Sequence, residues 1–459
     1  MTAPLDTAAQ LLELVRTAAG PAAEAEVSVE RQVEALTRFA NSFIHQNLAD
    51  DTTRVRLRLH TGGRTVAGST TRTGADGLRE LVARTVEAAR FAPPDPGWPG
   101  LAPPAPPAGE PGFDEPTAAA EPDARSGQVA AFVAAAGGLE TAGYCRTGLW
   151  TGGFANSAGH CLTTRTSEAA LDGIARHGDA DGVGRRAAVR LADLSGAELG
   201  ARAAAKARAG ADPVELAPGP YQVVLEPAAV ADLLANLAVW GFSGRALAER
   251  RTFAEPGAEQ LDRAITLVDD AYAPGTPGFA YDLDGTPRQR LTLVEAGVTR
   301  AVTHDRRTAA QVGTESTGHG ARLFRIATAA PANLGLVPAA GEEPAASAGP
   351  ADPAAVPLLA GVERGLLVTD LWYTRVLDPK SLVVTGLTRN GVWLVEDGAI
   401  TSPVRNLRFT QSYPQALGPG AVTGIGPVAA LLPGHQSRTW WSAPALHLVA
   451  WNFTGGASG

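Results

Sequence analysis

The stretch Arg54-Val55-Arg56-Leu57-Arg58-Leu59-His60-Thr61-Gly62-Gly63-Arg64-Thr65-Val66-Ala67-Gly68-Ser69 decides the fold class. Val55, Leu57 and Leu59 alternate with Arg54, Arg56 and Arg58, the period of two that gives a strand one apolar and one polar face. Thr61-Gly62-Gly63-Arg64 then supplies a tight turn, so the run doubles back as an antiparallel hairpin into Thr65 to Ser69. Upstream, Ala25, Val27 and Val29 alternate with Glu26, Ser28 and Glu30 in the same way. Helical spacing flanks these strands on both sides: Leu5, Ala8, Leu12, Val15 and Ala19, stopped by Gly20-Pro21, and Leu78, Leu81, Val82, Thr85 and Ala89. Residues 1–91 therefore read as an N-terminal α+β unit with antiparallel strands.

Further along, residues 92–124 read as a Pro/Ala-rich linker or meandering surface loop, with eleven prolines between Pro93 and Pro122. Residues 125–216 form a middle α/β segment expected to pack with the N-terminal unit. It carries a helix over Ser126 to Ala136, strands over Leu139 to Trp150 and Gly153 to Ser167, and a helix over Leu194 to Ala209. Asn156-Ser157-Ala158-Gly159 is a turn sequence. Residues 217–459 read as a β-rich C-terminal domain of mixed or antiparallel sheet. Its opening is a strand over Tyr221 to Leu225, followed by a helix from Glu226-Pro227, and a connector at 338–357 interrupts it. The expected class is α+β, an N-terminal α/β domain with antiparallel strands followed by that β-rich domain.

The chain has 459 residues, a formal charge of −8 and a pI near 5.6, which argues against nucleic-acid or anionic-membrane partners. Two cysteines, Cys145 and Cys161, suit a reducing compartment better than a disulfide framework. With no basic leader and no run of about eighteen apolar residues, the expectation is a cytoplasmic protein.

The chemistry is thin. Zinc peptidases of the commonest types pair two histidines one helical turn apart with a glutamate that activates water. None of the eight histidines here precedes a glutamate, and no two lie three to five residues apart. His304, Glu315 and His319 are the nearest approach to a catalytic constellation, though a hydrogen-bonded loop histidine is the plainer reading. Asp282-Leu283-Asp284-Gly285 begins like a calcium loop, but position twelve is Leu293, so a turn between strands is the better account. Ser157 and Ser316 lack the context of a triad nucleophile. Thr314 to Gly320, with Ser316, Gly318 and His319, could offer backbone amides to an anion, or simply be a Gly-permitted loop.

Several segments together resemble the TldD/TldE family, also called PmbA or "modulator of DNA gyrase". They are Val55 to Ser69 with its following helix, Phe154 to Gly159, Pro218 to Pro227, Asp282 to Pro287, Glu295 to Val298, Ser316 to Gly320 and Gly365 to Thr369. The resemblance implies two kinds of chain. TldD-like chains carry a His-Glu-x-x-x-His helix and a later cysteine as zinc ligands, and TldE-like chains lack them and pair with a TldD-like chain. Here the corresponding helix, Leu237 to Arg245, has neither histidine nor glutamate, and no cysteine follows Cys161. The resemblance thus implies a metal-free, TldE-like subunit of a heterodimeric zinc peptidase acting on unfolded or small peptides, including modified precursors. No cofactor is expected in this chain, zinc is expected in the partner, and no residue here is expected to be catalytic. Asn156, Ser157, Trp240, Asp284, Ser316, Gly318 and His319 are the candidates for shaping a peptide chamber or partner interface. Two other readings stand beside this one: a stand-alone hydrolase around His304, Glu315 and His319, and a non-enzymatic modulator or binding protein.

Overall fold

A computed structural model describes residues 4–323, 326–342, 349–434 and 438–456; part of the expected connector, residues 343–348, lies outside them. The first sheet contains six strands, β1 (Glu24–Ala40), β2 (Phe43–Thr61), β3 (Arg64–Thr70), β4 (Glu140–Asn156), β5 (Cys161–His177) and β6 (Ala180–Ala188). They are ordered β3-β2-β1-β4-β5-β6, and every pairing is antiparallel. The sheet thus spans both the N-terminal unit and the middle segment. Helices α1 (Pro4–Ala19) and α2 (Ala75–Phe91) cover one end of one face, burying Leu11, Val15, Leu78 and Leu81 on Val27, Val29, Val55 and Leu57. A four-residue α3 (Glu115–Ala118) precedes α4 (Pro122–Ala135) and α5 (Gly196–Ala209), and the latter two cover the other end through Phe132, Leu199 and Ala203 on Phe39, Ala169 and Leu171.

Residues 152 and 153 differ from the sequence expectation. Two strands separated by glycines were expected there, yet β4 runs straight through Gly152 and Gly153 to Asn156, and the turn falls at Ser157 to His160. The glycines serve close approach rather than turning. A Cβ on Gly152 would lie 3.0 Å from the Tyr281 hydroxyl, and one on Gly153 would lie 3.0 Å from Pro4.

The second sheet has eleven strands: β7 (Gly219–Leu225), β8 (Leu267–Asp269), β9 (Leu291–Glu295), β10 (Val298–Thr299), β13 (Leu334–Leu336), β14 (Arg364–Asp378), β15 (Val383–Glu396), β16 (Ala399–Pro403), β17 (Leu407–Ser412), β18 (Val422–Pro433) and β19 (Trp440–Gly456). A separate pair, β11 (Gly320–Leu323) and β12 (Ile326–Ala329), lies between β10 and β13 in the chain. The path β19-β17-β15-β14-β7 returns to β19, because β7 pairs with both β14 and β19. Closing the path leaves no free strand edge within it. Its core includes Leu225, Leu366, Val384, Phe409, Leu446 and Trp451. The sheet is mixed, since β14–β7 and β13–β19 are parallel pairs.

Helix α6 (Pro227–Asn236) follows β7, with proline at its first turn and Val230, Leu233 and Leu234 buried. The sequence expectation carried a helix on through Leu237 to Arg245. Instead α6 passes into a π-turn over Leu237–Gly241, breaks at Phe242, and resumes as the short α7 (Gly244–Ala248). Among the described residues no helix is long and apolar enough to cross a membrane.

Candidate functional site

The second face of the first sheet carries the charges that the alternation foretold. The β1–β2 register sets Glu26 opposite Arg58, Ser28 opposite Arg56 and Glu30 opposite Arg54, so opposite charges face each other across the strands. Arg54 stays exposed, but the C-terminal domain covers the rest of this row, and between them lie two adjoining cavities of about 790 and 380 Å³. Arg56, Leu283, Gly320 and Ala321 line both.

At the larger cavity Arg58 bonds Glu26 on its own sheet and donates to Asp284 Oδ1 across the cleft at 2.8 Å. Asp284 is held by its turn. Asp282 Oδ1 accepts from the amides of Asp284 and Thr286, each at 2.9 Å, and its Oδ2 accepts from Gly320 at 2.7 Å. The other Asp284 oxygen accepts from the Arg306 amide at 3.1 Å, at the start of α8 (Arg306–Val312). Gly285 closes the turn at φ +74, and a Cβ there would lie 2.1 Å from the Phe154 ring; only glycine fits. Burial, opposed by Arg58, pushes the Glu26 carboxyl up to about 7. Burial and the neighbouring Asp284 push Asp282 up as well, against the amides that favour its charged form.

The proline-rich stretch is fastened across the mouth of this cavity. Arg307 forks onto Asp95 at 2.9 and 2.7 Å, and the Arg306 guanidinium donates to the carbonyls of Pro99, Gly100 and Leu101. Trp98 lies between them, stacked on His60 with ring centres 4.9 Å apart and with the Arg58 guanidinium 5.2 Å from its own. These bonds order a segment whose composition offers little apolar surface to bury.

The smaller cavity is walled by Trp150, Phe279 and Tyr281, with Arg288, Glu30 and Arg438 at its sides. Arg438 donates to Glu30 at 2.9 Å and lies over the Phe279 ring at 4.1 Å. Arg438 and the neighbouring Arg56 and Arg54 outweigh burial and hold the Glu30 carboxyl below its ordinary range.

Of the candidates for a catalytic, chamber or interface role, Asp284 alone lines one of these cavities, beside its neighbours Asp282 and Leu283 and beside Gly320. His319 is fully buried: Nε2 faces Asp269 Oδ1 at 3.0 Å, and Nδ1 lies 2.8 Å from the Thr317 carbonyl. Burial alone would raise the Asp269 carboxyl, but His319, Arg288 and the Asn333 amide leave it lowered overall. His304 is buried behind α7, with Nδ1 3.2 Å from Thr308 Oγ1, and burial lowers its pKa. Glu315 is exposed while both histidines are buried. Ser316 donates to the His304 carbonyl at 3.2 Å and accepts from the Gly318 amide at 3.3 Å. At Gly318, φ is +73 and a Cβ would meet the Pro287 carbonyl at 2.3 Å. Asn156 and Ser157 tie their turn to the sheet and the proline-rich stretch: the Asn156 amide donates to the Ala102 carbonyl at 2.8 Å, and Ser157 Oγ accepts from Ala25 at 3.0 Å. Trp240 packs half-buried on the C-terminal core. What the sequence reading missed is the row Glu26, Glu30, Arg56 and Arg58, and the wall Trp150, Tyr281 and Arg288. The alternation marked the first group as a polar face, and nothing local marks the second.

The residues of the π-turn do not fit zinc chemistry. The π-turn after α6 offers Leu237, Ala238, Val239, Trp240 and Gly241, none with a metal-binding side chain. Among the described residues no group of three His, Cys, Asp or Glu side chains is placed to hold a metal.

Residues 218–434 match the model of the PmbA/TldA metallopeptidase C-terminal domain. No curated protein sequence matches the chain. Among solved structures, TldE from Thermococcus kodakarensis superposes with a TM-score of 0.84 at 18% identity, over 98% of this chain and 100% of that one. A candidate modulator of a DNA gyrase from Thermotoga maritima gives 0.81 at 17% identity, over 98% and 100%. Another from Bacteroides thetaiotaomicron gives 0.78 at 18% identity, over 98% of both chains. At these identities the superpositions show a shared fold.

Proposed function

This chain is a member of the PmbA/TldD/TldE family, and from that premise we propose that it is the non-catalytic subunit of a heterodimeric zinc peptidase that degrades or processes unfolded or small peptides. One observation carries the reading. The domain that matches a metallopeptidase model has an apolar π-turn, Leu237–Gly241, after the β7–α6 unit, where the family resemblance expects the zinc ligands. Metal and nucleophilic water then belong to a partner, a TldD-like homologue with the His-Glu-x-x-x-His helix. This chain supplies walls, strand edges and the charged cleft, against which an extended peptide can set its backbone. With no run of basic residues and an acidic overall charge, it offers little to a polyanion.

The test is co-expression with that homologue, followed by metal analysis and peptide digestion by each chain alone and by the pair. The expected result is a stable complex, zinc that follows the partner, and cleavage that needs both chains. Stoichiometric zinc in this chain alone, with peptide cleavage abolished by EDTA, would overturn the reading.

A further inference from the structure

Three side chains at the smaller cavity have polar atoms that nothing among the described residues satisfies. Trp150 Nε1, the Tyr281 hydroxyl, and Arg288 Nε and Nη1 are buried without a hydrogen-bond partner, in residues only 4%, 6% and 5% exposed. All three residues line the same cavity of about 380 Å³. Leaving such a group unpaired costs about 1–3 kcal/mol, so a cluster of them calls for an explanation in what the cavity receives.

The chemistry of the atoms sets the ligand. An indole N–H and a guanidinium can only donate. The Tyr281 hydroxyl, its pKa raised by burial, also keeps its proton at neutral pH. The missing partner is therefore an acceptor, and the charge balance makes it an anion. Asp269 is the nearest carboxylate to Arg288, but Nη1 stands 3.9 Å from its Oδ1, which already faces His319, and its Oδ2 accepts from the amides of Ala332 and Asn333 at 2.8 and 2.7 Å. Glu30 is engaged by Arg438. Asp282 also lines the cavity, but its two oxygens are taken by the amides of Asp284, Thr286 and Gly320, so Arg288 is left without a hydrogen-bonded carboxylate. Trp150 and Phe279 form an aromatic wall edge to face, with ring centres 6.3 Å apart, which suits an apolar body better than a hydrated inorganic ion.

We propose that this cavity is a binding site for an organic carboxylate on an apolar body, of the kind presented by the C-terminal residue of a peptide. The carboxylate takes the donors of Tyr281, Arg288 and Trp150, and the side chain lies against Trp150 and Phe279. Capture of a terminal carboxylate would give the cleft polarity, fixing which end of a peptide enters it. The site rests on this chain's cavity and not on the subunit reading. A chain that binds the carboxylate but recruits no homologue would sink the latter and leave the former intact.

The experiment is calorimetric titration of the full chain with acetyl-Ala-Ala-Phe, with its C-terminal amide and with inorganic phosphate. The free acid binds, the amide binds at least tenfold more weakly, and phosphate does not displace the acid. Tyr281→Phe separates binding from folding. Removing an unpartnered hydroxyl leaves Tm unchanged or raised, while affinity for the acid falls about tenfold, the loss of one hydrogen bond to a charged group. Equal binding of acid and amide, displacement by phosphate, or no binding of the acid at millimolar concentration would each overturn the site. So would a Tyr281→Phe chain of lowered Tm, which would show the hydroxyl already partnered.

Discussion

Two of the places where the halves of the molecule meet are built in opposite ways. Beside α5, Lys206 bonds Glu226 and reaches Thr369 Oγ1 at 3.3 Å, while the other Glu226 oxygen accepts from the Asp352 amide at 2.7 Å. Arg202 holds Asp352 at 2.6 Å, and the Lys206 and Glu226 side chains are each only 2% exposed. Both oxygens of Glu226 are satisfied there. In the cleft between the charged sheet face and the Asp282–Gly285 turn, Glu26 Oε1, Tyr281, Trp150 and Arg288 are buried with unpaired atoms. The closed contact fixes how the halves sit, and the open one keeps polar capacity that folding does not use. One part of the interface is satisfied throughout, and the other holds unused polar capacity.

Breaking the closed contact has the largest expected effect. Lys206→Met leaves Glu226 buried without its cation and is expected to cost about 3–5 kcal/mol in chemical denaturation, with much of the loss recovered by Lys206→Met combined with Glu226→Met. Should the single substitution prove neutral, the contrast between the two contacts fails. Gly285→Ala attacks the framework of the open side. A left-handed residue whose Cβ would collide with Phe154 is expected to cost about 2–3 kcal/mol, read as a lower denaturation midpoint.

Glu26 sharpens the comparison through pH. Its carboxyl titrates at about 7 in the folded protein, above the ordinary 4.5, so between these values the folded state holds the proton that the unfolded state has released. Stability therefore falls as pH rises from about 4.5 to about 7 and levels off above, by about 3 kcal/mol. Thermal unfolding across that range should show the fall in the parent chain and not in Glu26→Gln. A parent chain that gains stability over the same range would contradict the burial of Glu26. The smallest effect is expected of Asp284→Ala. Arg58 is nearly one-third exposed, so losing this bond should cost only about 1 kcal/mol by thermal unfolding; a much larger loss would make the cleft a structural clamp like the closed contact.

Much of this was readable from the chain. Gly62-Gly63 between two alternating runs could hardly be anything but a hairpin, and Pro227 after a compact apolar strand marked the start of α6, because both signals are local. The strand break expected at Gly152-Gly153 and the helix expected through Gly241 failed for the opposite reason. Tyr281 and Pro4, far away in sequence, need the space those glycines leave, and residues 237 to 241 add a π-turn that apolar periodicity does not encode. His319, the most conspicuous residue of its loop, is consumed by Asp269, fifty positions earlier.

The sequence by itself determined the α+β class, the antiparallel hairpin, the two-faced strands with arginines on one side, and the lack of His-Glu ligands after β7, since periodicity and residue identity are properties of the chain alone. Only the tertiary structure decided what the arginine face meets. Opposed by water it would be a solvated surface; covered by the turn at Asp282–Gly285 and the wall of Trp150, Tyr281 and Arg288, it becomes a cleft. Burial sets the cost of an unpaired polar atom, and burial depends on segments more than two hundred residues apart.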